Sequence, residues 1–151
     1  MPRKWLLLLF AALALTYSCS QPDDQVIRGQ LALMEQEAER ADWPAVLSHI
    51  SRHYKDSDEN NYFMISQMVK NYTKGVGELQ VEIEVLGVKI AEKEARSQIK
   101  LVVKGSKAGS LYYVVGTDQA PEYPELWWAK ERGDWKLIRV EGIEGDQESP
   151  W

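Results

Sequence analysis

Residues 124–143, PELWWAKERGDWKLIRVEGI, decide the fold of this chain. Aromatic and β-branched residues, which suit a pleated and largely buried surface, fill both halves of the stretch. Between them, Arg132-Gly133-Asp134 supplies residues that favour a turn. We therefore predict a β-hairpin with its turn at residues 131–134, and we expect the upstream chain to pack on the sheet that this hairpin completes.

Two further strands are predicted before the hairpin. From Leu79 onward apolar and polar residues alternate with a period of two, which is typical of a strand with one face in water. The alternation slips at residues 85–86 beside Gly87, and this slip predicts a β-bulge and a bend. After a charged turn at residues 92–94 the alternation returns over residues 97–103, so we expect an antiparallel pair.

The segment between these strands and the hairpin is less regular. Residues 105–109 contain two glycines and are interpreted as a flexible break. Residues 111–115 form a short apolar run that we interpret as an added edge strand or a flap. Residues 117–124 contain two prolines and predict a polar loop.

Helical spacing of apolar residues dominates the N-terminal half. The three predicted helices are one capped by Asp23 or Asp24 and extending to Ala41, one running from Trp43-Pro44 to Tyr54, and one running from Ser57 or Asp58 to about Thr73. Helices followed by strands predict an α+β protein in which three N-terminal helices pack on a curved antiparallel sheet of four or five strands.

Residues 1–18 have the features of an export signal. Arg3 and Lys4 precede an apolar run over residues 5–15, and small or polar residues end the run. A membrane-spanning helix needs about 20 apolar residues, so this run is too short to be a transmembrane anchor. We predict a signal peptide over residues 1–18 and an exported protein.

Cys19 is the only cysteine in the chain and directly follows this segment. Ser18-Cys19 at the end of the apolar run resembles the lipobox of bacterial lipoproteins. The resemblance implies that cleavage leaves Cys19 as a lipidated first residue that attaches the protein to the lipid bilayer, and that residues 19–24 form a linker. Ser20 implies the periplasmic side of the outer membrane. The alternative is a conventional cleavage nearby that leaves a free thiol.

The remaining chain is acidic. The full sequence has a formal net charge of −5, and removal of residues 1–18, which include two basic residues and no acid, makes the charge more negative. An acidic domain argues against nucleic acid as a partner. We expect one domain over residues 25–144 and a flexible tail over residues 145–151.

The order of elements, together with the motifs Ala41-Asp42-Trp43-Pro44 and Gly133-Asp134-Trp135-Lys136, resembles the nuclear transport factor 2-like superfamily, also called SnoaL-like or cystatin-like. The resemblance implies a cone-shaped domain whose mouth can hold a small apolar ligand, and a homodimer through the sheet. Members include isomerases, dehydratases, cyclases and proteins without catalysis, so the fold leaves the function open. The family usually has a small hairpin between its second and third helices, for which residues 54–58 are too few.

Histidine and acidic residues provide the candidates for chemistry. Four residues apart on a helix, His49 and His53 would share a face, but no third ligand has a recognisable spacing, so we predict no metal and no cofactor. If the protein is an enzyme, the catalytic candidates are His53, Asp56 and Tyr54. The simpler interpretation is that both histidines are exposed to solvent or cap a helix and have no catalytic role.

Aromatic residues provide the candidates for binding. The residues considered for ligand contact are Tyr54, Tyr62, Trp128, Trp135 and Arg139. Successive strand residues point to opposite faces, so Trp127 and Trp128 are not expected to line one cavity. Arg139 could bind an acid inside the cone or pair with a glutamate on the surface.

Two functions fit these residues. The first is a membrane-anchored periplasmic lipoprotein domain that binds a small ligand or a protein partner without catalysis. The alternative is an acid–base enzyme of the isomerase or dehydratase type that acts in the cone. The absence of a recognisable set of acid, base and hydrogen-bond donor favours the first.

Overall fold

A computed structural model describes residues 21–143. The predicted signal peptide, Cys19 and the tail at residues 145–151 lie outside the described residues. Three helices precede five strands, with bounds α1 Asp23–Glu39, α2 Trp43–Ser48, α3 Tyr62–Tyr72, β1 Glu78–Ala91, β2 Glu94–Lys107, β3 Ser110–Val115, β4 Glu125–Glu131 and β5 Asp134–Glu141. This confirms the predicted α+β class. No helix within residues 21–143 has the length and apolarity needed to cross a membrane.

All strand pairs in the sheet are antiparallel, in the order β1-β2-β4-β5. The long strand β2 is central. Its first half pairs with β4, while its second half pairs with the short strand β3 along the same edge. The predicted hairpin is therefore β4–β5, and the predicted edge strand at residues 111–115 is β3.

Three β-bulges bend this sheet. Each leaves one extra residue unpaired: Leu86 in β1, Val114 in β3 and Ile138 in β5. Such bulges increase local twist and turn a strand away from its partner. The bulge predicted at residues 85–86 is confirmed, and together the three give the sheet its curvature.

The flexible break predicted at residues 105–109 is wrong. Gly105 is a buried residue of β2 that pairs with Tyr112, and a Cβ at Gly105 would come within 2.5 Å of the Tyr112 ring. The glycine is thus needed because the aromatic ring lies against the backbone. Only Ala108 and Gly109, both with positive φ, form the turn between β2 and β3.

Helix α1 covers the outer edge of β1 with side-chain hydrogen bonds. The Glu39 Oε1 and Glu35 Oε2 atoms each accept a bond of 3.0 Å, from the backbone N–H groups of Val81 and Ile83 respectively. The guanidinium of Arg28 donates to the Val85 carbonyl at 3.3 Å. These side chains take the place of a neighbouring strand, because an uncovered edge presents unpaired backbone groups.

The second helix is shorter than predicted, ending at Ser48 rather than Tyr54. The chain after it runs beside β5: the Leu137 N–H donates to the His49 carbonyl at 2.9 Å, and the Ser51 N–H donates to the Leu137 carbonyl at 2.9 Å. The open edge of β5 offers the backbone hydrogen bonds that a longer helix would have made internally. Asp42 caps the helix, accepting from the Ala45 N–H, and Pro44 lies in the first turn as predicted.

The third helix begins later than predicted. Its cap is Asn61, whose side chain accepts from the Met64 N–H at 3.1 Å, and not Ser57 or Asp58. Asp56 instead closes the preceding loop, because its carboxylate accepts bonds from the backbone of Asp58 and from Asn60. One antiparallel bridge between Lys55 and Asn61 is all that the loop retains of a hairpin.

Candidate functional site

The interior of the curved sheet is occupied by side chains. The buried cluster consists of Ile27, Leu31, Tyr54, Ala95, Ile99, Leu126, Trp128, Trp135 and Leu137. Trp128 is fully buried, and its indole Nε1 donates to the Ser97 hydroxyl at 2.9 Å. Trp135 is also buried, and its indole Nε1 donates to Asp23. The two tryptophans predicted to contact a ligand therefore lie in the core, and both indole N–H groups are bonded within the protein.

The catalytic candidates are only partly brought together. The Tyr54 hydroxyl donates to the Asp56 carboxylate at 3.3 Å, and burial, reinforced by the Asp56 charge, raises the pKa of Tyr54. His53 is exposed, and its backbone N–H donates to the Ser51 hydroxyl. A raised pKa favours the protonated phenol, so this pair acts as a neutral donor and an acceptor that shape the loop.

Of the two alternatives for Arg139, the structure shows the surface pair with a glutamate and not a position inside the cone. Its side chain lies on the outer face of the sheet, where it pairs with Glu141 at 3.1 Å, because Arg139 alternates with the inward Val140. Tyr62, at the margin of the core, has the guanidinium of Arg52 stacked 4.0 Å from its ring centre.

The two adjacent tryptophans point to opposite faces, as predicted. Trp128 faces the core, whereas Trp127 lies on the outer face with the guanidinium of Arg96 3.5 Å from its ring centre. Arg139 approaches the same ring at 5.5 Å. The indole Nε1 of Trp127 is buried and has no hydrogen-bond partner among residues 21–143.

The two histidines do not share a helix face. His49 lies just after α2, and its Nε2 atom is 2.9 Å from the Glu37 carboxylate, whereas His53 lies in an exposed turn. Within residues 21–143 no three histidine, cysteine or acidic residues are grouped as metal ligands would be.

A groove of about 440 Å³ lies between α1, the end of α2 and the β4–β5 turn. Its lining residues are Gln21, Gln25, Val26, Gly29, Gln30, Leu33, Ser48, His49, Gly133, Asp134, Trp135 and Lys136. Its volume falls within the range of small-molecule sites. Sequence reasoning missed this groove because its walls come from three distant segments, and the one local signal was Gly29 in the middle of a helix.

Polar side chains fix the walls of the groove. The Gln30 amide donates to the Trp135 carbonyl at 2.8 Å, and the Lys136 ammonium donates to the Ser48 carbonyl at 2.8 Å. Glu37 orients the imidazole of His49, of which about 15 % of the side chain is exposed. At Gly29 an added Cβ would meet nothing within 4 Å, so the groove is open there.

Asp23 joins the start of α1 to the hairpin. Its Oδ1 atom accepts bonds from the Lys130 ammonium at 2.8 Å and from the Trp135 indole at 2.9 Å. The prediction that Asp23 or Asp24 caps α1 is wrong, because the N-cap residue is Pro22 and no side chain caps the helix. The Lys130 and Trp135 hydrogen bonds hold the pKa of Asp23 below its usual value. The first turn of α1 is thereby attached directly to the sheet.

This attachment predicts a dependence of stability on acid. A carboxyl whose pKa is lower in the folded state stabilises the fold above its unfolded pKa of about 4, and that contribution is lost as the pH falls through the folded value. We expect Asp23→Asn to flatten the loss of unfolding free energy below about pH 4, measured by urea denaturation. Asp24→Asn, one residue along, is the control; an equal change in both variants would contradict the assignment.

The curved antiparallel sheet with three N-terminal helices against it defines an α+β protein with the cystatin-like, NTF2-like fold. Solved structures carry the same fold. An NTF2-like protein with a cystatin-like fold from Novosphingobium aromaticivorans has a TM-score of 0.63 and 15% identity, covering 93% of this chain and 90% of that chain. A protein of the same species, provisionally named a scytalone dehydratase, has a TM-score of 0.65 and 8% identity, covering 79% of this chain and 81% of that chain.

Bd1075 of Bdellovibrio bacteriovorus is also similar, with a TM-score of 0.60 and 14% identity over 82% of this chain. The chain spans 41% of the length of Bd1075. No family model and no curated protein matches the sequence. At these identities the similarity establishes the fold alone, and such folds include both ligand-binding proteins and enzymes.

Proposed function

We propose that this chain is an exported, lipid-anchored domain that binds a small ligand or a short protein segment in the groove between α1 and the β4–β5 turn. The observation that carries the proposal is the filled interior: Trp128 and Trp135 occupy the space that a ligand in the cone would need. Binding is therefore assigned to the surface groove, which is open and lined by both apolar and hydrogen-bonding groups.

The tether and the groove are close in sequence. Cys19 precedes the first helical residue, Asp23, by four residues, which span at most about 14 Å. Gln21 itself lines the groove. In the proposed lipoprotein, anchored on the periplasmic side of the outer membrane, the groove would open near the bilayer surface. A ligand would be bound where it leaves or enters the membrane.

An acid–base enzyme is the second candidate. The pairing of His49 with Glu37 beside the groove favours it, because a carboxylate that orients an imidazole is a common arrangement for proton transfer. The groove, rather than Tyr54 and Asp56, would be the place of reaction. His49→Gln would abolish turnover of a substrate in this case while leaving ligand binding to the groove largely intact.

The anchor is tested by Cys19→Ala in the full chain. Two or more acyl chains hold a protein stably on a bilayer, since each buried methylene contributes about 0.8 kcal/mol. We expect the wild-type protein to sediment with membranes and the Cys19→Ala variant to lose nearly all of its membrane fraction. Ser18→Ala, which keeps a small residue directly before the cysteine, is the control. Unchanged membrane binding of Cys19→Ala would refute the lipid anchor.

The groove is tested separately by filling it. Gly29→Trp adds a large side chain where a Cβ meets no atom, and Ala32→Trp adds the same group to an exposed position of α1 that does not line the groove. Native mass spectrometry of protein purified from its host should show a bound molecule in the wild type and in Ala32→Trp. Its mass should be absent from Gly29→Trp. Retention in both variants would exclude the groove.

A further inference from the structure

Helix α3 exposes an apolar stripe that nothing in the described chain covers. Phe63, Met64, Met68 and Tyr72 are 67%, 44%, 56% and 47% exposed. Met64, Met68 and Tyr72 follow one another at spacings of four, so they lie in a line along one side of the helix. An exposed apolar patch of this kind on a small domain usually marks a contact with another molecule.

The inward side of α3 is occupied by other residues. Ile65 and Tyr62 pack against the core, and Ser66 is the buried residue of the helix, with its hydroxyl bonded to the Phe63 carbonyl at 2.8 Å. The helix is therefore fixed to the domain through one side. Its apolar arc continues around to Met64 and Met68, which have no role in that packing.

The two ends of α3 carry opposite charges. The loop before it has three acidic residues, Asp56, Asp58 and Glu59, and two basic ones, Arg52 and Lys55, whereas the last helical turn and the residues up to Gly77 contain Lys70 and Lys74 and no acid. Two such helices repel when they lie parallel and attract when they lie antiparallel.

We propose that α3 is a self-association surface, on which the α3 helices of two copies of this chain pack antiparallel about a two-fold axis close to Met68. In this arrangement Met68 contacts Met68 of the partner subunit, and Met64 contacts Tyr72 of the partner subunit. The acidic loop of each copy lies near the basic helix end of the other. An isologous contact of this kind is closed, so association stops at a dimer.

The outer face of the sheet, on which dimerisation was expected from the family resemblance, is less suited to this role. Its charges are already paired within the chain: Lys104 with Glu82 at 2.9 Å and with Asp118 at 2.8 Å, Lys100 with Glu84 at 3.4 Å, and Arg96 with Glu125 at 3.9 Å. Its aromatic residue Trp127 is covered by the guanidinium of Arg96. A contact here would require desolvation of these pairs.

The bilayer is also an unsuitable occupant of the stripe. A small groove lined by Ala38, Glu39, Thr73 and Val76 places the end of α3 beside the end of α1. The 17 residues of α1 span about 25 Å, so this end of α3 lies far from Asp23, where a lipid tether would join the fold. The stripe is thus on the side of the domain that is free to meet another protein.

Cysteine cross-linking tests this arrangement in the full chain. Cys19→Ser removes the only thiol, so that Met68→Cys then introduces a single reactive position at the proposed two-fold axis. Mild oxidation should give a covalent dimer at least ten times faster than in a matched variant with Gln98→Cys, which exposes its thiol on the outer face of the sheet. Both positions are exposed, so neither substitution disturbs the core.

Charge reversal provides the second arm. In the Met68→Cys background, Lys70→Glu with Lys74→Glu should slow cross-linking at least five-fold, and adding Asp58→Lys with Glu59→Lys should restore most of the rate. Equal rates for Met68→Cys and Gln98→Cys, or a faster rate for Gln98→Cys, would overturn the proposal. A slowing that the compensating reversal fails to rescue would overturn the antiparallel arrangement. These outcomes are independent of lipidation and of the groove.

Discussion

Trp128→Ala is expected to lower the free energy of unfolding by about 3–5 kcal/mol, which is the usual cost of removing a buried tryptophan from a core. The residue is fully buried among Ile99, Leu126 and Leu137. A domain of this size has a total stability of about 5–15 kcal/mol, so the variant would be partly unfolded near its working temperature. Urea denaturation followed by far-ultraviolet circular dichroism measures the change.

Substitution by phenylalanine separates packing from hydrogen bonding. Trp128→Phe leaves the buried Ser97 hydroxyl without its indole partner, a cost of about 1–3 kcal/mol. Trp127→Phe removes an Nε1 atom that has no partner in the described part of the chain and should cost clearly less. Equal losses for the two phenylalanine variants would show that the Trp128–Ser97 bond contributes nothing.

Gly77→Ala is the second large effect. Gly77 has φ of +70°, and a Cβ there would come within 2.1 Å of the Ser106 carbonyl oxygen. The left-handed conformation alone costs a non-glycine residue about 1–3 kcal/mol, and the clash with backbone forces β1 and β2 apart at Glu78, which pairs with Ser106. We expect a loss of stability in urea and faster amide exchange at Leu79.

Gly75→Ala is the matched control for this prediction. It lies two residues earlier, and a Cβ there meets nothing within 4 Å. Restricting the unfolded chain should make this variant equal to the wild type or about 0.4–1 kcal/mol more stable. Equal stability of Gly77→Ala and Gly75→Ala would contradict the claim that Gly77 needs a left-handed backbone conformation and a position without a Cβ.

The β4–β5 hairpin and the bulge in β1 could be predicted because each depends on residues that are close together in the sequence. The alternation of apolar residues and the Arg132-Gly133 turn predicted the hairpin, and a single slip in the alternation predicted the bulge at Leu86. The layering followed because each predicted element has one apolar side. The length of α2 could not be predicted, since the hydrogen bonds that end it come from β5, almost ninety residues away in the sequence.

The candidate site was less predictable than the fold. Aromatic residues were considered for ligand contact because the family resemblance implied an open cone, but Trp128 and Trp135 fill that space. Whether a curved sheet holds a cavity depends on the sizes of the side chains that pack inside it. These side chains come from residues far apart in the sequence, so local patterns do not show which of them are in contact. The groove has the same origin, since Gly29 and His49 become neighbours only when α1 and α2 pack together.

The edges of this sheet are protected to different extents. Side chains of α1 bond to the β1 edge at Val81, Ile83 and Val85, and the segment around Ser51 bonds to β5 at Leu137, whereas the outer edge of β3 lacks a partner strand in the described chain. β3 reads SLYYVV, without charge, proline or glycine, which is the composition of amyloid-forming segments. A charged residue at Leu111 would make the protein more soluble on storage.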